Sequence, residues 1–173
     1  MQSIEAIKVF WPAALTGIIC SLLASLLIVA TKRWHGSFSM DGTNGVQKFH
    51  TAPTPRIGGI ALLAGFLGIW FVLPHGFTQG TATLLGLILI GGIPAFAAGL
   101  LEDFTKTVSV KARLFATAAS GLLAALITGY WINSVHIPGV DSLLAFAPVG
   151  ILFTAFAIAG IANSVNIIDG FNG

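Results

Sequence analysis

The residues best suited to chemistry sit at the ends of apolar stretches. Asn163, Asn166, Asp169 and Asn172 recur in steps of three through the closing "GIANSVNIIDGFNG". On a helix that spacing keeps them on one broad side. Amide and carboxylate oxygens grouped in this way can hold a metal, a sugar's hydroxyls or a nucleotide, or can hydrogen-bond a neighbouring helix. A carboxylate at the centre of a bilayer costs roughly 2.5–3.5 kcal/mol, so such residues demand a reason. Gly170 and Gly173 suit a helix end and a close approach of backbone to ligand.

Two further clusters carry charge. In "GLLEDFTKTVSVKAR", Glu102 and Asp103 are adjacent carboxylates at the end of an apolar run, with Lys106 one turn later. Adjacent carboxylates repel, so one keeps its proton or both share a cation. That suits a general base or a magnesium site, and equally a solvated helix end paired with Lys106. In "KFHTAPTPRIGG", Lys48, His50 and Arg56 supply donors, Pro53 and Pro55 stiffen the segment, and Gly58 and Gly59 permit a tight start to the next helix. Such donors fit a phosphate-bearing ligand or the anionic headgroups of the membrane.

The elements that position these clusters follow from composition. The chain is 55% hydrophobic and 8% charged, with a mean hydropathy of +0.93. Ordinary soluble domains carry about 25% charged residues, so the fold class is an all-α polytopic membrane bundle. A net charge of +2 gives no basis for nucleic-acid binding. Cys20 is the sole cysteine and excludes an internal disulfide.

Five stretches approach the roughly 20 apolar residues that cross a bilayer: about 9–30, 57–73, 83–101, 114–132 and 143–162, in one membrane domain over 1–173. The first lacks the basic start and cleavage site of a signal peptide and reads as a true span. Lys32, Arg33, Lys48 and Arg56 lie between spans one and two; Lys106, Lys111 and Arg113 lie between three and four; Lys8 alone lies on the other side. The positive-inside rule then places the amino terminus outside and loops 31–56, 102–113 and 163–173 in the cytoplasm. All three polar clusters therefore share one membrane face. A transporter half would bury its charges mid-span, whereas these sit at helix ends. A purely structural membrane subunit gives no reason for the clusters to converge.

Together the motifs resemble those of the bacterial polyprenyl-phosphate N-acetylhexosamine-1-phosphate transferases. That family includes the phospho-N-acetylmuramoyl-pentapeptide transferase and the enzymes that start O-antigen, enterobacterial common antigen and teichoic acid linkage units. Pro55 to Gly59 match its P-x-x-G-G segment, "EDFTK" its D-D-x-x-K motif, and Asn163, Asn166, Asp169 and Gly170 its N-x-x-N-x-x-D-G motif. Glu102 replaces the usual first aspartate, adding one methylene of reach, and Asn172 stands where the pentapeptide transferase has a second aspartate. "HTAPTPRIGG" and "LEDFTK" look closer to the lipopolysaccharide and O-antigen initiators. The D-G-x-x-A-R run of the CDP-alcohol phosphotransferases is absent.

The resemblance implies a bundle of about ten spans, five of them here, so that this portion alone would be inactive. It implies transfer of N-acetylhexosamine 1-phosphate from a UDP-sugar to polyprenyl (undecaprenyl) phosphate with release of UMP, at the cytoplasmic face of the bacterial inner membrane. Mg2+, or Mn2+ in its place, and a homodimer are further implications. Glu102, Asp103 and Asp169 become the expected catalytic residues. Asn163, Asp103 and Asp169 become the expected metal ligands, and Lys48, His50, Arg56, Lys106, Lys111, Asn166 and Asn172 the expected substrate contacts.

Overall fold

The computed structural model describes residues 2–41, 54–76 and 79–169, with side chains described for 10–36, 55–73 and 80–166. It is helical almost throughout: α1 (Gln2–Ala30), α2 (Lys32–Ser39), α3 (Gly58–Gly76), α4 (Gln79–Gly91), α5 (Ile93–Thr105), α6 (Val110–Thr128), α7 (Val140–Leu144) and α8 (Ala147–Asp169). One two-residue antiparallel pair, β1 (Met40–Asp41) with β2 (Thr54–Pro55), interrupts the pattern. The protein is all-α and polytopic, as its composition requires.

By length and apolar composition, the stretches Phe10–Ala30, Val110–Thr128 and Ala147–Asn166 can each cross a bilayer, and the bent pair α4–α5 makes a fourth. The expected span at 57–73 is a shorter apolar helix, Gly58–Leu73 within α3. All 19 residues of α3 rise only about 28 Å, just short of a hydrocarbon core about 30 Å thick. The count of five therefore rests on α3 being completed by its polar ends.

The described residues divide into two compact units, one covering 2–41, 54–76 and 79–86, the other 87–169. In the first, α1 lies along α3, and glycines let the backbones approach. A Cβ on Gly65 would stand 3.1 Å from both Gly17 O and Ser21 Cβ. This is the close contact that drives helix association where lipid removes any hydrophobic incentive. Ala13, Leu73 and Ala82 are buried, with Ile69, Val72 and Leu85 against them, and Trp70 Nε1 donates to Ala82 O at 3.1 Å. Ile18, Leu22 and Phe71 are exposed, as a lipid-facing surface should be.

The second unit departs from the expected spans in instructive ways. The run 83–101 is broken, and α4 and α5 meet at 47°. Pro94, near the start of α5, lacks an N–H and clashes with the preceding turn, while Gly91 and Gly92 permit the bend. A break exposes amides, and Ser120 of α6 answers one of them: its Oγ accepts from Ala95 N at 2.8 Å. Nearby, α6 lies against α8 at small residues, where a Cβ on Gly121 would reach within 2.9 Å of Ala155 Cα.

Helix α6 begins at a Ser109 cap whose Oγ accepts from Ala112 N, and ends at Gly129 in the left-handed region (φ 71°). The helix at the expected fourth span, 114–132, thus runs Val110–Thr128, because cap and glycine, not apolarity, end it. The connection to α8 folds back on itself. Asp141 accepts from Val135 N and Ser134 Oγ, both at 2.8 Å, and Thr154 Oγ1 accepts from Ile132 N at 2.8 Å while donating to Gly150 O. Leu143 and Leu144, expected within the fifth span, belong to the short α7 instead.

The expected loops shrink accordingly. Residues 102–105 are the last turn of α5, leaving 106–109 as the link to α6, and α2 occupies part of 31–56. The tail at 163–169 is helix rather than loop. Carboxylates and amides can solvate the end of a helix without unwinding it, so polarity marks where it leaves the membrane, not where it stops.

Two outcomes follow. Ser120→Ala strands the Ala95 amide and lowers detergent-solubilised stability by about 1–3 kcal/mol, whereas Ser164→Ala on exposed α8 leaves the thermal midpoint almost unchanged. The hydrogen bonds from Val135 N and then Ser134 hold the Asp141 carboxyl below its ordinary value of 3.8. Its contribution is therefore present above that value and lost as pH falls through the lower folded one. Protection of the Val135 amide, measured by hydrogen exchange, should fall on acidification below 3.8, and in Asp141→Ala should already be low at neutral pH.

Candidate functional site

Three helices meet at one place in the second unit. A cavity of about 120 Å³ is lined by Ala95, Ala98 and Gly99 of α5, Arg113 and Thr117 of α6, and Ala162, Asn163 and Asn166 of α8. Small side chains on α5 make the space, and the two neighbouring helices furnish its polar groups. Asn163 is half-buried and Asn166 exposed.

Helix periodicity extends this wall to the acidic pair. Ala95, Ala98 and Gly99 form an i, i+3, i+4 stripe, and Glu102 and Asp103 continue it at i+7 and i+8. Both carboxylates are half-buried, and the Glu102 Oε2 oxygen is withdrawn from solvent. Lys106 then closes the helix: it takes the left-handed conformation (φ 57°), and its N–H donates to Glu102 O at 2.8 Å. For a side chain other than glycine this geometry costs about 1 kcal/mol, which places a lysine under backbone constraint one turn from the carboxylates. Thr105 and Thr107 brace the turn through their hydroxyls at 2.9 Å.

On α6, Arg113 and Thr117 stand one turn apart, and Thr117 Oγ1 donates to Arg113 O at 3.0 Å. Sequence reasoning uses Arg113 only as a topological charge. The missed signal is its i, i+4 pairing with a hydroxyl residue at the start of a capped helix. Lys111, the expected contact, is exposed and is not among the residues lining the cavity.

The structure therefore brings Asn163 and Asn166 into one cavity, with Glu102 and Asp103 on the helical stripe that forms its wall. Asp169 lies in the same helix, and its side chain is outside the described ones. Lys48, His50, Asn172, Gly170 and Gly173 fall outside the described residues. Arg56 is half-buried and belongs to the first unit. Among the described residues no group of three His, Cys, Asp or Glu could hold a metal ion. A hard cation here would draw on mixed donors, carboxylate from α5 and amide oxygen from α8, a set compatible with magnesium's preference for oxygen.

The sequence pattern of glycosyl transferase family 4 matches residues 84–173, just over half of the chain and the part that builds this cavity. The chain belongs to glycosyl transferase family 4. Curated relatives agree. The chain is 30% identical over 93% of its length to a phospho-N-acetylmuramoyl-pentapeptide-transferase from Gluconobacter oxydans, covering 48% of that protein. It is 25% identical over 72% of its length to a decaprenyl-phosphate N-acetylglucosaminephosphotransferase from Mycobacterium tuberculosis, covering 32% of it. A Clostridium perfringens phospho-N-acetylmuramoyl-pentapeptide-transferase is 22% identical over 96% of the chain, which covers 54% of it. The chain thus spans about a third to a half of the length of these relatives. No solved structure matches it significantly.

The geometry sets an expectation for anion binding. A charge-assisted hydrogen bond contributes roughly 1.5–3 kcal/mol, so Arg113→Gln should weaken inorganic pyrophosphate binding by about tenfold or more. Lys111→Gln should change it far less; titration calorimetry on the purified chain distinguishes the two.

Proposed function

We propose that this family 4 chain supplies one wall of the site of a polyprenyl-phosphate sugar-1-phosphate transferase. The observation that carries the reading is the cavity framed by Arg113, Asn163 and Asn166 beside the helix end bearing Glu102, Asp103 and Lys106. The names of the relatives support it, since one is a decaprenyl-phosphate transferase of N-acetylglucosamine phosphate. In the proposed reaction a lipid phosphate oxygen attacks the β-phosphorus of a UDP-N-acetylhexosamine. A new phosphorus–oxygen bond forms, the diphosphate bond breaks, and UMP leaves. The lipid product, with undecaprenyl phosphate as acceptor, would begin a surface glycan such as O-antigen at the cytoplasmic face of the inner membrane.

The obstacle is bringing one anion onto another, with unit charges about 4 Å apart repelling by roughly 4 kcal/mol at an effective dielectric near 20. Arg113 and Lys106 lower that barrier by holding positive charge near the diphosphate. Asn163 and Asn166 orient it through their amides. Glu102 and Asp103 orient the lipid phosphate and accept its proton. Magnesium, held by Asp103, Asn163 and Asp169, would neutralise the diphosphate when bound. Fixing both substrates at one helix end turns an encounter into a positioned attack. Lys48, His50, Arg56, Lys111 and Asn172 would add phosphate contacts, and a homodimer is part of the same proposal.

The test uses the full-length protein in detergent with a UDP-N-acetylhexosamine and polyprenyl phosphate. UMP release that requires the lipid supports the reading; no UMP, or release independent of lipid, overturns it. Asp103→Asn should reduce turnover by about 10²–10⁴-fold, and near-normal transfer would remove Asp103 from the catalytic set.

A further inference from the structure

In the first unit, well separated in sequence from the acidic and Asn motifs, α2 follows α1 with only Thr31 between them. Thr31 Oγ1 donates to Leu27 O at 2.7 Å, and Trp34 N donates to Thr31 O at 2.8 Å, so the junction is tightly wound. His35 Nε2 lies 3.1 Å from Ile28 O, pinning α2 back onto the last turn of the apolar helix. Whatever depth the end of α1 occupies, α2 is held there with it.

What α2 presents at that depth is specific. Lys32 and Arg33 are exposed, and Trp34 is 81% exposed, the highest value among the exposed large hydrophobic residues. Such a ring gains nothing from water, while its indole N–H loses a partner in hydrocarbon. The headgroup boundary satisfies both halves of the ring. The segment 31–57 carries four Lys or Arg residues against one carboxylate, Asp41. That balance complements an anionic surface and not a neutral one.

We propose that Lys32, Arg33 and Trp34 form a docking site for an anionic phospholipid headgroup. The two cations take the phosphate, and Trp34 lies at the level of the glycerol and upper acyl chain. The site is independent of the transfer reaction proposed above, and the lipid it binds is a structural neighbour of the protein, not its substrate.

The 173-residue chain reconstituted in mixed phosphatidylglycerol and phosphatidylcholine bilayers provides the test. The Trp34 contribution is the difference in emission between the chain and Trp34→Phe. Bromine is placed on the upper acyl chain of one lipid at a time. Brominated phosphatidylglycerol should quench Trp34 more strongly than brominated phosphatidylcholine at equal mole fraction, and Lys32→Gln/Arg33→Gln should reduce that preference about tenfold. Equal quenching by the two lipids overturns the proposal, as does Trp34 emission that neither lipid quenches, which would place the ring in water or against protein. The comparison in the unsubstituted background stands even if the double variant folds poorly. Unchanged helicity by circular dichroism qualifies the variant result, and a preference that survives both substitutions also overturns the assignment of the cations.

Discussion

A backbone amide has nowhere to turn for a partner in hydrocarbon, and the second unit of this protein is organised around that fact. Pro94 and its preceding glycines break the third apolar run, which frees amide groups from the helical ladder. Ser120 supplies the missing acceptor from the adjacent helix. Among the described side chains, Ser120 and Thr154 are the buried polar ones, and both serve this purpose, the second by receiving Ile132 N beyond the end of α6. The result is a pair of stitches, one at the bend and one at the return loop, that tie α5 to α6 and the α6–α8 connection to α8.

Those stitches explain how flexible polar groups become a site. With α5 held to α6 at Ala95, its remaining ten residues run to an end that carries Glu102, Asp103 and Lys106. Close approach of α6 and α8 at Gly121 brings the start of α6 beside the end of α8. Arg113 and the asparagines then share a cavity because the start of α6 and the end of α8 lie together against the small residues of α5. The family 4 pattern runs over residues 84–173, the stretch that contains every residue lining this cavity.

Much of this was legible in the residues themselves. Apolar runs declare helices in lipid because no other segment can satisfy its own backbone there, so the fold class required no tertiary information. The three-residue spacing of Asn163, Asn166 and Asp169 survived intact, since α8 continues through all three. The bend was written in Gly91, Gly92 and Pro94 but is masked by hydropathy, which averages over a break without registering it. Loop 102–113 was overestimated for a related reason: charge signals departure from the membrane, while only a cap such as Lys106 or Ser109 ends or begins a helix.

By itself, then, the sequence determined that the chain is a helical membrane protein and which polar residues stand at the ends of its apolar runs, because desolvation penalties are local and each segment meets them alone. Tertiary structure decided which polar groups face one another. It preferred Arg113 to Lys111 as a cavity residue, assigned Ser120 to a helix break, and set the stripe bearing Gly99 against α6 and α8. Those outcomes depend on the rotation and depth of neighbouring helices, which are set by small-residue contacts and side-chain-to-backbone bonds between segments far apart along the chain.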